Sequence, residues 1–253
     1  MSAGNGQEVV TDPAALLSVH AISPQERLIF PLDVPSHDEA RGWVDRLGDS
    51  VHFYKLGLEL FLADDYQAFI EELHKRGKQV FVDLKFFDVP ETVAAAVRQL
   101  AQSGARFATV HANEAMIEAA CRVKADLQIL AVTVLTSLDR DDVNDLGFEV
   151  SIEQLVLSRA RRMLAVGADG VISSGIEARA LREGLGKGFL VVSPGIRPVE
   201  NRRVDDQKRV VSVEQAFRSG ADYIVVGRPI RNAPDPVAKA WEIQETIAGI
   251  FAV

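Results

Sequence analysis

Short, continuous apolar runs alternate along most of this chain with stretches whose apolar residues recur at helical spacing. The runs occupy residues 28–33, 53–57, 79–85, 107–111, 128–136, 170–174, 189–194 and 223–228. Their length and their Val, Ile and Phe content read as strands. Between them, residues 37–47, 65–76, 91–103, 115–123, 152–166, 178–183 and 213–219 carry helical patterns, and a last one starts near residue 236. In the first of these, Ala40, Val44 and Leu47 fall on one stripe. Near-continuous apolar strands separated by helices predict a parallel sheet covered on both faces. Eight such units in 253 residues favour a closed barrel over an open sheet. The expected fold is α/β, a single (β/α)8 TIM barrel.

Turn signals agree with that reading. Gly104-Ala, Gly167-Ala-Asp and Gly220-Ala-Asp each stand just ahead of a strand and repeat one helix-to-strand turn. No linker divides residues 26–253, which read as one barrel catalytic domain. Residues 1–25, with Gly, Ser, Asn, Pro and a single apolar patch at 14–19, read as a loosely ordered extension.

Composition narrows the function. A net charge of −8 argues against a general nucleic-acid or membrane-surface binder, so neither kind of partner is expected. An anionic small substrate would need Lys and Arg gathered locally. Cys121 is the only cysteine, which excludes an intrachain disulfide, and its helical surroundings read as core. No run reaches the roughly 18–20 apolar residues of a membrane span. The N-terminus lacks a basic region followed by an apolar one, so a cytoplasmic location is expected.

The chemistry concentrates in residues 80–92. Val80, Phe81 and Val82 open a buried strand, and Asp83, Lys85 and Asp88 follow where it should end. Side chains two apart on a strand share a face, which puts Asp83 and Lys85 together. Pro90 suits the first turn of a helix that would carry Thr92. Such a cluster fits an active site, and it also fits an ion pair closing one end of the sheet. Charged residues recur at the other strand ends: Asp33 at the end of the first, Lys55 at the end of the second, Arg197 after the seventh and Arg228 at the end of the eighth. Barrels place their active sites at these C-terminal ends and often bind phosphate in the loops after strands seven and eight. Gly195 with Arg197, and Gly227 with Arg228, supply the backbone N–H groups and guanidinium forks for that task. The alternative is that each Arg caps a loop or pairs with Asp205 or Asp206. His111 and Thr136, also near strand ends, fit either ligand contacts or local hydrogen bonding. The charge run at 139–142 reads as a solvated loop. There is no glycine-rich dinucleotide fingerprint, no P-loop and no zinc spacing.

The segment Asp83-Leu-Lys85-Phe-Phe-Asp88-Val-Pro90-Glu-Thr92 resembles the Asp-x-Lys-x-x-Asp-Ile-Pro-x-Thr signature of the orotidine 5′-phosphate decarboxylase family. Leu32-Asp33-Val, Tyr54-Lys55-Leu-Gly57, Val132-Thr-Val-Leu-Thr136-Ser, Ser193-Pro-Gly-Ile-Arg197-Pro, Gln207 and Val226-Gly227-Arg228-Pro229 match that family in the same order, from about residue 26 onward. The resemblance implies a carboxy-lyase that converts orotidine 5′-phosphate to uridine 5′-phosphate, the last step of pyrimidine nucleotide synthesis, without metal or organic cofactor. It implies that Lys85 protonates C6 in a charged network with Asp83 and Asp88, and that Asp83 sits beside the departing carboxylate. Asp33 and Lys55 would bind the ribose hydroxyls, Thr136 the pyrimidine, and Arg197, Gln207, Gly227 and Arg228 the phosphate, with Pro194 lining the site. Asp88 and Thr92 would reach into the neighbouring subunit of an obligate homodimer. Phe87 and Val89 depart from the family's usual His and Ile, Asn113-Glu114 from a Gly-rich stretch, and residues 199–206 carry Arg202 and Arg203. A magnesium-dependent keto-gulonate phosphate decarboxylase type and a non-catalytic phosphate-ligand binder are the rival readings. A Schiff-base aldolase is disfavoured, because flanking acids keep Lys55 or Lys85 protonated.

Overall fold

The computed structural model describes residues 16–63, 65–197 and 211–251. Eight parallel strands close into a barrel in sequence order, and the last pairs with the first. The chain runs β1 (Leu28–Pro31), α1 (His37–Leu47), β2 (Phe53–Leu56), α2 (Leu58–Phe61), α3 (Tyr66–Lys75), β3 (Gln79–Phe86), α4 (Pro90–Leu100) and β4 (Phe107–His111). It continues through α5 (Glu114–Cys121), β5 (Gln128–Val132), α6 (Arg140–Asp145), α7 (Ile152–Ala165), β6 (Gly170–Ile172) and α8 (Ala178–Leu185). It ends with β7 (Leu190–Ser193), α9 (Val213–Arg218), β8 (Tyr223–Val225), α10 (Arg228–Arg231) and α11 (Pro236–Phe251). The expected TIM barrel is the fold.

Four local expectations change. The run at 139–142 is not a solvated loop: Asp139 and Asp142 form a reciprocal capping box that starts α6, and Val143 anchors that helix in the core. Strand five stops at Val132, so Thr136 lies in the turn beyond it. Strand eight stops at Val225, and Arg228 opens the short helix α10 instead of ending the strand. The additional one-turn helix α2 follows β2 directly.

Period-two alternation divides each strand between two apolar layers. Ile29, Phe53, Phe81, Phe107, Leu130, Leu190, Val192 and Tyr223 form the filling inside the barrel. Their outward neighbours, among them Phe30, Tyr54, Val80, Val82 and Ala108, pack beneath the helix stripes. Phe107 stands 5.1 Å from both Phe53 and Tyr223 between ring centroids, which makes a rigid aromatic floor. Each fully buried side chain of this size contributes about 1.5–3 kcal/mol.

The repeated helix-to-strand turn behaves as its sequence suggests. Gly167 and Gly220 take φ of 102° and 99°, a conformation open to glycine. The aspartate two residues on then accepts a backbone N–H from the neighbouring strand: Asp169 from Ile129 at 2.7 Å and Asp222 from Val191 at 2.8 Å. Asp222 also accepts from Arg182 at 2.5 Å, a pair with almost no solvent contact, and burial lowers the Arg182 pKa against the pull of Asp222. Residues 1–15 of the expected extension lie outside the described residues. Of the remainder, Ser18 donates to Asp222 at 2.8 Å, and Ile22 packs on the barrel interior. Among the described residues, no helix is long and apolar enough to cross a membrane.

Candidate active site

The interior pattern sets the site. Two residues beyond Phe53 and Phe81 of the floor, the inward positions are Lys55 and Asp83. They open into a cavity of about 440 Å3 at the C-terminal end of the barrel. Val132, Ile172 and Val225 give it an apolar wall. Asp33, Lys85 and Thr136 also line it, as do Pro194, Arg197, Gly227 and Arg228 on the side of strands seven and eight.

The charges form a chain. Lys55 Nζ lies 3.2 Å from Asp33 Oδ1 and 3.5 Å from Asp83 Oδ2, and Lys85 Nζ lies 2.9 Å from the same Asp83 oxygen. Burial alone would raise the Asp83 carboxyl. Lys55 and Lys85, with hydrogen bonds from Lys85 and Thr109, outweigh that effect and hold it below the ordinary carboxylate range.

Simple alternation does not bring Lys85 this close, because side chains two apart on a regular strand are separated by about 6.6 Å of rise. Instead β3 bulges: Val82 pairs with Ala108 and Phe86 with Val110, so four steps of β3 span two of β4. Lys85 sits inside the bulge with φ of 51°, a left-handed conformation that costs a non-glycine residue roughly 1–2 kcal/mol. Its N–H donates to Thr109 Oγ1 at 2.9 Å, and the Thr109 hydroxyl donates to Asp83 Oδ1 at 3.0 Å.

On the opposite side, Gly195 takes φ of 78°, and the Arg197 N–H donates to Val211 O at 3.0 Å. A Cβ on Gly227 would lie 2.8 Å from Pro31 Cγ, so the start of α10 packs on β1 only as glycine. Arg231 enters the same cavity and donates to Pro31 O at 2.9 Å.

Not every expected residue meets the others. Gln207 and residues 199–206 lie outside the described residues. Asp88 and Thr92 are exposed and do not line this cavity. Asp88 Oδ1 accepts the Val89 N–H at 2.6 Å, and the exposed side chains of Phe87, Val89, Leu58 and Leu62 are apolar. His111 ends β4 outside the cavity lining, edge-on to Phe87; burial, then the Arg159 and Lys85 charges, lower its pKa. Cys121 donates to Gly167 O at 3.1 Å, and burial pushes its thiol up to about 11. Among the described residues, no group of three or more His, Cys, Asp or Glu is placed to hold a metal ion.

Two contributors escaped the sequence reading, Thr109 and Arg231. Thr109 had a signal, since it stands two residues beyond the inward Phe107. Arg231 had none, because its place depends on the α10 turn.

Comparisons with known proteins identify the family. Residues 26–243 match the family described as orotidine 5′-phosphate decarboxylase / HUMPS family. The chain is 60% identical over 236 residues to the orotidine 5′-phosphate decarboxylase of Methylococcus capsulatus, covering 93% of this chain and 98% of that one. It is 52% identical over 228 residues to the protein of that name from Xanthomonas euvesicatoria, covering 89% and 93%. The crystal structure of orotidine 5′-phosphate decarboxylase from Lactobacillus acidophilus superposes with a TM-score of 0.78 at 35% identity, over 88% of this chain and 99% of that chain. On these grounds the chain belongs to the orotidine 5′-phosphate decarboxylase / HUMPS family.

Proposed function

We propose that this protein decarboxylates orotidine 5′-phosphate to uridine 5′-phosphate without a metal or cofactor. The observation that carries this reading is the Asp33–Lys55–Asp83–Lys85 chain, whose far end places Lys85 Nζ 2.9 Å from Asp83. Losing CO2 from C6 leaves an electron pair that the pyrimidine ring delocalises poorly, so a cation must already stand beside it. The Lys85 ammonium meets that need and then transfers its proton to C6. Preorganised charge of this kind is usually the largest catalytic contribution. Asp83 aims the ammonium and repels the substrate carboxylate, an interaction relieved as CO2 departs. Lys55 and Asp33 offer a donor and an acceptor for the ribose hydroxyls. Thr136 faces the base, and Gly227, Arg228 and Arg197 the phosphate, whose binding energy helps to orient the ring. Gln207 is assigned to the phosphate by its motif.

The magnesium-dependent reading would use Asp33 and Asp83 as ligands. Lys55 lies between those acids, at 3.2 and 3.5 Å, which favours the metal-free reading.

The active unit in this reading is a homodimer. Asp88 and Thr92 are exposed and absent from the lining of their own chain's cavity, near exposed Phe87 and Val89. An apolar rim around two polar side chains suits a self-complementary interface that delivers both to the partner's site.

The test is decarboxylation of orotidine 5′-phosphate with EDTA present, wild type beside Lys85→Ala. Metal-independent turnover is expected, with the variant slower by about a thousandfold or more. A folded wild type without turnover, or activity lost to EDTA and restored by magnesium, rejects the reading.

A further inference from the structure

The network contains one neutral group that touches both catalytic side-chain carriers, and it comes from a different strand. Thr109 is fully buried in the middle of β4. Its single hydroxyl is used in both directions, accepting the Lys85 N–H at 2.9 Å and donating to Asp83 Oδ1 at 3.0 Å. The two bonds polarise one another in sequence, so each strengthens the other.

Its position explains why the bond falls there. Val82 and Phe86 pair with Ala108 and Val110, which leaves Thr109 as the β4 residue facing the bulge. The residues inside a bulge lack ladder partners. A side-chain acceptor must then satisfy the Lys85 N–H in its left-handed conformation, φ 51°. In a regular strand the β4 backbone would pair with β3 here and no side chain would be required.

The geometry points to Thr109 as a positioning residue that holds the Lys85–Asp83 pair in its reactive arrangement, by pinning the bulge backbone and one carboxylate oxygen at once. This inference rests on the decarboxylase reading for its consequence, while the pinning itself is a matter of structure alone. A valine keeps the shape of threonine and removes both bonds; a serine keeps both bonds and loses a methyl. Hydrogen bonds to charged groups are among the stronger ones.

The experiment compares wild type, Thr109→Val, Thr109→Ala and Thr109→Ser as full-length proteins. Readouts are kcat and KM for orotidine 5′-phosphate across pH, the affinity for uridine 5′-phosphate, and the crystal structure of the valine variant. The valine and alanine variants should lose about 10- to 100-fold in kcat, with KM and product affinity changed less than about threefold. The acid limb of their pH profile should move to higher pH, because Asp83 has lost a donor to its charged form. The serine variant should stay within about threefold of wild type. In the valine structure Lys85 should leave the left-handed region and its ammonium should part from Asp83. Wild-type kcat and an unmoved acid limb in the valine variant would overturn the inference. So would equal loss in the serine and valine variants, since packing alone would then explain it. If valine does not fold, alanine against serine decides the same question. If the wild type fails to turn over orotidine 5′-phosphate, the function is wrong, and the variant's structure still decides whether the hydroxyl pins Lys85.

Discussion

At the scale of single residues, two charge clusters of the barrel have opposite consequences. At its base, Arg182 and Asp222 satisfy one another and the surrounding backbone, so the pair is structural. At its mouth, Asp83 serves two lysines and one hydroxyl, and the carboxyl is held below its ordinary range by partners that overcome burial. A carboxyl whose folded pKa is depressed stabilises the fold above its unfolded pKa and loses that contribution as pH falls through the folded value. Asp83→Asn has no such carboxyl to protonate. Its stability deficit against wild type should therefore stay constant near neutral pH and shrink as pH falls below about 4, the ordinary aspartate value, toward the lower folded value. Urea unfolding midpoints at several pH values check this, and a gap that does not shrink at low pH would mean that Asp83 is not held in its charged form.

At the scale of elements, most of the cavity lining comes from strand ends and the turns beyond them, because strand bodies are largely committed to packing. Gly170 opens β6 opposite Leu190 of β7. A Cβ there would collide with Leu190 O and stand 2.7 Å from Leu190 Cβ, atoms that no rotamer change can move. Gly170→Ala should cost about 1–3 kcal/mol, the range for overpacked cores. Thermal melting and urea unfolding would show it; a wild-type midpoint would mean that β6 and β7 separate more easily than their register suggests. The elements that sequence patterning misplaced are short. Helix α6 rests on one buried valine and a capping box, and α10 is a single turn after Gly227. Neither is long enough to show a helical period, so local hydrogen bonding decides them.

At the scale of the molecule, the proposed dimer makes each site a joint product of two chains. Mixing Lys85→Ala with Asp88→Ala tests it. In a mixed dimer one site would join intact Lys85 to the partner's intact Asp88, while the other would lack both. Random exchange of equal amounts should restore about a quarter of wild-type activity by the closed two-fold symmetry of such a pair. No recovery after demonstrated exchange would place Asp88 in its own chain's site. By itself, the sequence determined the barrel, since eight apolar runs and seven intervening helical patterns admit few topologies. It also picked out most of the charged residues that ring the mouth, because charges at the ends of buried strands have nowhere else to go. Asp33, Lys55, Asp83, Lys85, Thr136, Arg197 and Arg228 accordingly share one cavity. Only the tertiary structure decided how Lys85 reaches Asp83. That contact depends on a bulge between two strands and on a hydroxyl contributed from 24 residues away. It likewise decided the place of Arg231, which follows from the packing of α10 on β1. Spacing along a chain carries periodicity, whereas a register shift between neighbouring strands exists only once both are paired.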